Sequence, residues 1–179
     1  YNAAIPQIMR GSGVRYFFTT KLSWNDTNIF PHDTFWWEGL DGSRVFTHFN
    51  ATHCEPDPET LLRYTVGNDD PTFTQESKDK HVSRRKLIAY GYGDGGGGPQ
   101  FEHLELVRRE HDLDGCPRTE HRSVGEFAEE MERNAHDVPV HAGELYLELH
   151  RGTLTNRHEI KRNNRKGEVV LHDLEGLTV

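Results

Sequence analysis

Twelve residues, "AYGYGDGGGGPQ" at positions 89–100, include six glycines. Glycine loses more conformational freedom on folding than any other residue and offers no side chain to pack, so such a run cannot be the interior of a helix or a strand. It has to be a connection, and its flanks decide the fold class. Upstream, "RKLIAYG" (85–91) is short, apolar and ended by glycine, which predicts a strand. Downstream, Pro99 opens a stretch with Phe101, Leu104 and Val107 at helical spacing. Strand, loop and helix in that order form the repeating unit of an α/β protein.

The rest of the chain extends that pattern. "VRYFFTT" (14–20) is β-branched and aromatic and predicts a buried strand. In "DTFWWEGLDGSRVFTHF" the pair Asp41-Gly42 sits between two aromatic-rich runs, a strong local hairpin signal. Asp57 before Pro58 predicts an N-capped helix through "ETLLRYTV", and the stretch 67–83 is polar enough to be loop. Ser123 and Glu126 form a capping-box pattern ahead of a second helix, "SVGEFAEEMERNA". "GELYLELH" (143–150) alternates leucine with polar residues and predicts a strand. A last helix is expected from a second capping box, Asn156 with Glu159, to the C-terminus. Strands separated by helices predict a parallel sheet in α/β layers.

The net charge of −8 repels phosphate backbones, so nucleic acid is not an expected partner. Mean hydropathy is −0.81 and no apolar run approaches the ~18 residues of a membrane span, so no membrane partner is expected either. Cys54 and Cys116 are far apart with no CxxC spacing, which gives neither a zinc ribbon nor a disulfide framework and favours a reducing compartment. The chain begins at Tyr1 and "YNAAIPQIMRGSG" reads as the end of a helix, so a piece of a longer protein is expected.

In α/β folds ligands sit at the carboxyl ends of the strands. Lys21 follows the first expected strand, Asp94 lies in the glycine segment, and His150 closes "GELYLELH". Each alone is an ordinary solvated loop group. Together they make a cation, a carboxylate and an imidazole suited to acid–base work or to a metal. Trp36 and Trp37 point to opposite faces of their strand, so one is expected in the core and the other is free to line a site. "GYGDGG" also satisfies the dinucleotide pattern G-x-G-x-x-G, but the helix is delayed to Pro99 and Asp94 would oppose the phosphates. A nucleotide-binding α/β module and a non-catalytic carbohydrate-binding protein therefore stand as alternatives to a carboxylate brought to a polyhydroxylated substrate.

Three segments, "TTKLSWNDTNIFPHDTFWWEGLDGSRVFTHF", "YGYGDGGGGP" and "GELYLELHRGTLT", resemble in this order the α-mannosidases of glycoside hydrolase family 38, in particular the cytosolic and bacterial branch. The resemblance implies a retaining, zinc-dependent exo-α-mannosidase acting on mannose-containing oligosaccharide in the cytoplasm, with a homo-oligomer left open. It implies an α/β fold in which residues 1–152 form the C-terminal portion of a seven-stranded (β/α) barrel and 153–179 begin a helical bundle. His150 matches the family's last zinc ligand and Asp94 the region of its acid/base carboxylate. Lys21 lies where some branches place an arginine near the nucleophile, a substrate-binding position, and Trp36 and Trp37 are the candidate sugar contacts. The family's early His-x-Asp zinc pair and nucleophilic aspartate would precede this segment.

Overall fold

The computed structural model describes residues 1–67, 76–93, 97–150 and 157–177. It divides into two compact units, Tyr1–Glu148 and Leu149–Val179. The first unit runs α1 (Ile5–Gly11), β1 (Tyr16–Thr19), a 3-10 turn (Lys21–Trp24), β2 (Thr34–Glu38), β3 (Arg44–Phe49), β4 (Ala51–Cys54), α2 (Pro58–Thr65), β5 (Ile88–Tyr90), α3 (Phe101–Glu110), α4 (Val124–Asn134) and β6 (Val140–Ala142).

The sheet is mixed rather than all parallel. Its order is β1-β3-β2-β6, with β1 parallel to β3, β6 parallel to β2, and the β2/β3 hairpin antiparallel; β4 and β5 form a separate parallel pair. The hairpin turns at Asp41-Gly42, where Asp41 accepts from the Ser43 backbone and hydroxyl and Gly42 takes φ 82°.

As an inner strand, β3 is covered on both faces, which explains its nearly continuous apolar run. Val45 and Phe49 join Phe35 and Trp37 of β2, with Leu22 and Leu145, in one cluster. Phe46 faces the other way, onto Phe127 and Met131 of α4. Burying one such aromatic contributes about 1.5–3 kcal/mol. The caps are where local chemistry puts them: Asp57 accepts from Thr60 N–H at 2.9 Å and Ser123 from Glu126 N–H at 3.3 Å.

Two expectations are corrected. Residues 143–150 are not a strand; the ladder of β6 ends at Ala142. Gly143 takes φ 107°, and beyond it the backbone finds other partners: Leu145 N–H donates to Tyr1 O and Glu148 N–H to Asn25 Oδ1. Only Leu145 of the alternating leucines is fully buried. In α3 the buried line is His103, Val107 and Glu110, while Phe101 and Leu104 are exposed.

The second unit contains α5 (His158–Leu177), which has no buried residue. Asn156, the expected cap, lies outside the described residues. Among the described residues no helix is long and apolar enough to cross a membrane.

Candidate active site

The glycine segment leaves β5 as the sequence predicts, and the structure shows how its base is closed. Gly91 N–H donates to Cys54 O at 3.1 Å, extending the β4/β5 pairing by one residue. Tyr92 and Gly98 then exchange both backbone hydrogen bonds, at 2.9 and 2.6 Å, which makes an isolated antiparallel bridge. This closure needs glycine. A Cβ on Gly91, at φ 107°, would sit 2.6 Å from Pro99 N, and one on Gly97 would sit 2.9 Å from Tyr92 Cβ. Asp94, Gly95 and Gly96, enclosed by the bridge along the chain, lie outside the described residues.

Lys21 opens the 3-10 turn after β1, and its Nζ stands 3.6 Å over the Trp24 ring, a cation–π contact within its own turn. On β2 the two tryptophans divide between faces as alternation requires. Trp37 is 0% exposed, and its indole N–H donates to Gly143 O at 2.7 Å. Its surface is occupied by packing. Trp36 is half-buried and meets Phe46 edge-on at 5.2 Å, so it is the tryptophan that retains open surface. His150 belongs to the second unit, with φ 54°, a left-handed backbone rather than a strand end. Among the described residues no three His, Cys, Asp or Glu side chains gather as a metal site.

Three glutamates near these segments could compete for the role of acid. Glu148 accepts from Asn28 side-chain N–H, from Asn28 N–H at 2.6 Å and from Thr27 N–H at 3.2 Å. The Asn28 side chain and backbone donors hold its carboxyl below the usual range, the wrong direction for a proton donor. Glu38 is paired with Arg44 at 2.6 Å across the hairpin. Glu144 adjoins the Gly143 turn, with its carbonyl in contact with His141 Nε2 at 3.0 Å.

No local signal marks the buried polar network that lies where β2 begins and β3 ends. Lys86 Nζ lies 3.0 Å from Asp33 Oδ2, and both side chains are nearly inaccessible. Asp79 Oδ2 accepts from Asp33 N–H (2.7 Å) and Thr34 N–H (3.0 Å), and its Oδ1 meets His32 Nδ1 at 3.0 Å. His48 Nε2 accepts from Leu87 N–H at 3.2 Å, which leaves Nδ1–H to donate to Thr34 Oγ1 at 3.0 Å. The Thr34 hydroxyl in turn donates to Asp33 Oδ1 at 3.3 Å. Burial, reinforced by the Lys86 charge, pushes His48 down to about 3, so it is a neutral imidazole. Burial alone would raise the Asp33 carboxyl; the Lys86 charge and hydrogen bond, together with the neighbouring groups including the Asp79 amide, hold it below its ordinary value. The network ties residues 79–87, immediately ahead of β5, to the central sheet.

The mixed α/β unit carries a glycine-rich exit loop after β5, and the chain belongs to the glycosyl hydrolases family 38, whose N-terminal domain matches residues 1–144. It is 41% identical over 181 residues to alpha-mannosidase 2C1 of Mus musculus, an alignment covering 99% of this chain and 17% of that protein. Alpha-mannosidase 2C1 of Homo sapiens is 42% identical over 99% of the chain and 16% of its own length, and the alpha-mannosidase of Saccharomyces cerevisiae 38% identical over 98% and 16%. The chain thus spans about a sixth of the length of the curated relatives it matches.

Proposed function

We propose that this chain is part of a retaining, zinc-dependent exo-α-mannosidase that cleaves α-mannosidic bonds of glycans in the cytoplasm. On this reading, residues 1–152 are the later portion of a seven-stranded (β/α) barrel, and the helix after them begins a bundle. The observation that carries the proposal is the family match across 1–144, with Asp94 inside a loop closed at its base by Tyr92 and Gly98.

A retaining glycosidase uses two carboxyl groups about 5–5.5 Å apart, one as nucleophile and one as acid then base. Asp94 takes the second role: it protonates the departing glycosidic oxygen, then removes a proton from the water that releases the sugar. The ionised state favoured at Glu148 leaves that residue unsuited to the first of these steps. An imidazole is a donor that zinc accepts, so His150 fits as one ligand, the others and the nucleophile coming from outside these 179 residues. When bound, the metal would organise mannose hydroxyls. Trp36 offers its open face to sugar, and Lys21 sits at the carboxyl end of β1 as a substrate-binding cation.

The test is Asp94→Ala in the full-length zinc enzyme. Turnover of a mannobiose, with its poor leaving group, should fall about 10²-fold or more, and the glycosylation step with an activated aryl mannoside much less. Azide should restore part of the rate with the aryl substrate. Equal losses for both substrates, without rescue by azide, would remove Asp94 from the acid/base role.

A further inference from the structure

We infer that Glu148 is a positioning residue for the zinc ligand His150: its clasp on residues 25–28 fixes the chain two residues ahead of the imidazole. The inference rests on the reading of His150 as a ligand, and the experiment below separates the two. Residue 148 is held at all three of its polar groups. Its carboxylate accepts from Thr27 N–H at 3.2 Å, from Asn28 N–H at 2.6 Å and from the Asn28 side-chain N–H. Its own N–H donates to Asn25 Oδ1 at 2.8 Å, and its carbonyl accepts from Asp26 N–H at 3.4 Å. Each residue from Asn25 to Asn28 therefore shares a hydrogen bond with residue 148. The approach to the clasp is anchored as well. Gly143 O accepts the Trp37 indole N–H at 2.7 Å, and Leu145 is fully buried with its N–H on Tyr1 O at 3.0 Å.

Such a clasp exceeds what these residues need for themselves. Asp26, Thr27, Asn28 and Ile29 are exposed, and water would satisfy their donors as well as a carboxylate does. What the clasp adds is backbone order just ahead of His150. Two peptide units separate residues 148 and 150, so their Cα atoms are about 7 Å apart at most. His150 also takes φ 54°, a left-handed state uncommon for a residue with a side chain. A metal accepts an imidazole only over a narrow range of distance and direction, so groups that orient a ligand set affinity along with the ligand itself.

The experiment measures the zinc affinity of the full-length enzyme by competition with a chelator, at a temperature where the variants compared are folded. Glu148→Ala should bind zinc about 10–100-fold more weakly than the wild type. Asn25→Ala, which breaks the clasp from 123 positions away in sequence, should weaken binding in the same direction. Glu148→Gln should stay within about 3-fold, because its amide oxygen accepts the two backbone N–H groups and the Asn28 amide can turn to meet its NH2. Ser123→Ala, which removes a helix cap elsewhere, controls for lost stability and should stay within about 2-fold. Losses in Glu148→Ala and Asn25→Ala no larger than in Ser123→Ala, in an enzyme that loses zinc on His150→Ala, would overturn the inference alone. Should Glu148→Ala not fold, Asn25→Ala decides by the same criterion. A loss in Glu148→Gln equal to that in Glu148→Ala would show the charge and not the clasp at work, and would overturn it too. Zinc held by His150→Ala as tightly as by the wild type would overturn the reading of His150 as a ligand, and the inference with it.

Discussion

Acid should loosen the region ahead of the glycine loop through His48. The imidazole is buried between Phe18 and Phe127, accepts the Leu87 amide and donates to Thr34, so it has no room for a second proton. Its folded value of about 3 lies below the ordinary 6.5, so below pH 6.5 the opened chain binds a proton that the closed one refuses. Stability from this residue is therefore complete above pH 6.5, falls as pH drops, and levels off only below 3. At about pH 5 the cost is roughly 1.5 units at 1.36 kcal/mol each, or ~2 kcal/mol. Asp33 adds nothing in that window, because a depressed carboxyl loses its contribution only below its ordinary 3.8. The assay is hydrogen exchange by mass spectrometry on peptides covering Leu87, corrected for intrinsic exchange. Between about pH 7 and pH 5 the opening free energy should fall by ~2 kcal/mol in the wild type and stay nearly flat in His48→Gln, whose amide can make both hydrogen bonds without titrating. Parallel slopes for the two proteins would refute the reasoning.

Two further perturbations probe the same end of the molecule. Lys86→Met leaves Asp33 as an unpaired buried charge and should cost about 3–5 kcal/mol, seen as lost amide protection across residues 76–88; Asp33→Asn in the same protein should recover most of it. Gly91→Ala places a Cβ against the Pro99 backbone and should cut thermal stability or activity sharply, whereas Gly98→Ala, with open space around it at φ 62°, should cost only about 1–2 kcal/mol of left-handed strain.

What the sequence disclosed was chemistry that acts over a few residues. Asp57 and Ser123 cap helices because their oxygens reach amides three residues on, and Asp41-Gly42 turns a hairpin whatever surrounds it. The family resemblance, carried by long motifs, was equally legible, and the match over residues 1–144 bears it out. Distance in sequence defeated the rest. Asp33 and Lys86 are 53 positions apart, and nothing local marks either as buried. Leucine alternation in 143–150 satisfied the strand pattern, yet Tyr1 and Asn25 took hydrogen bonds that a ladder would have used. Phe101 and Leu104 fitted a helical stripe that the fold rotated outward in favour of His103. Of the candidate site residues, Lys21, Trp36, Trp37 and His150 are placed and Asp94 lies outside the described residues.

The most direct measurement of the central claim is the configuration of the sugar first released. Full-length protein containing this chain, supplied with zinc and an aryl α-mannoside, should be followed by proton NMR before mutarotation mixes the anomers. Double displacement through an enzyme-bound glycosyl intermediate predicts α-mannose as the first product, with the β-anomer appearing only later. β-Mannose formed first would contradict a retaining enzyme, and no hydrolysis at all would contradict the mannosidase assignment.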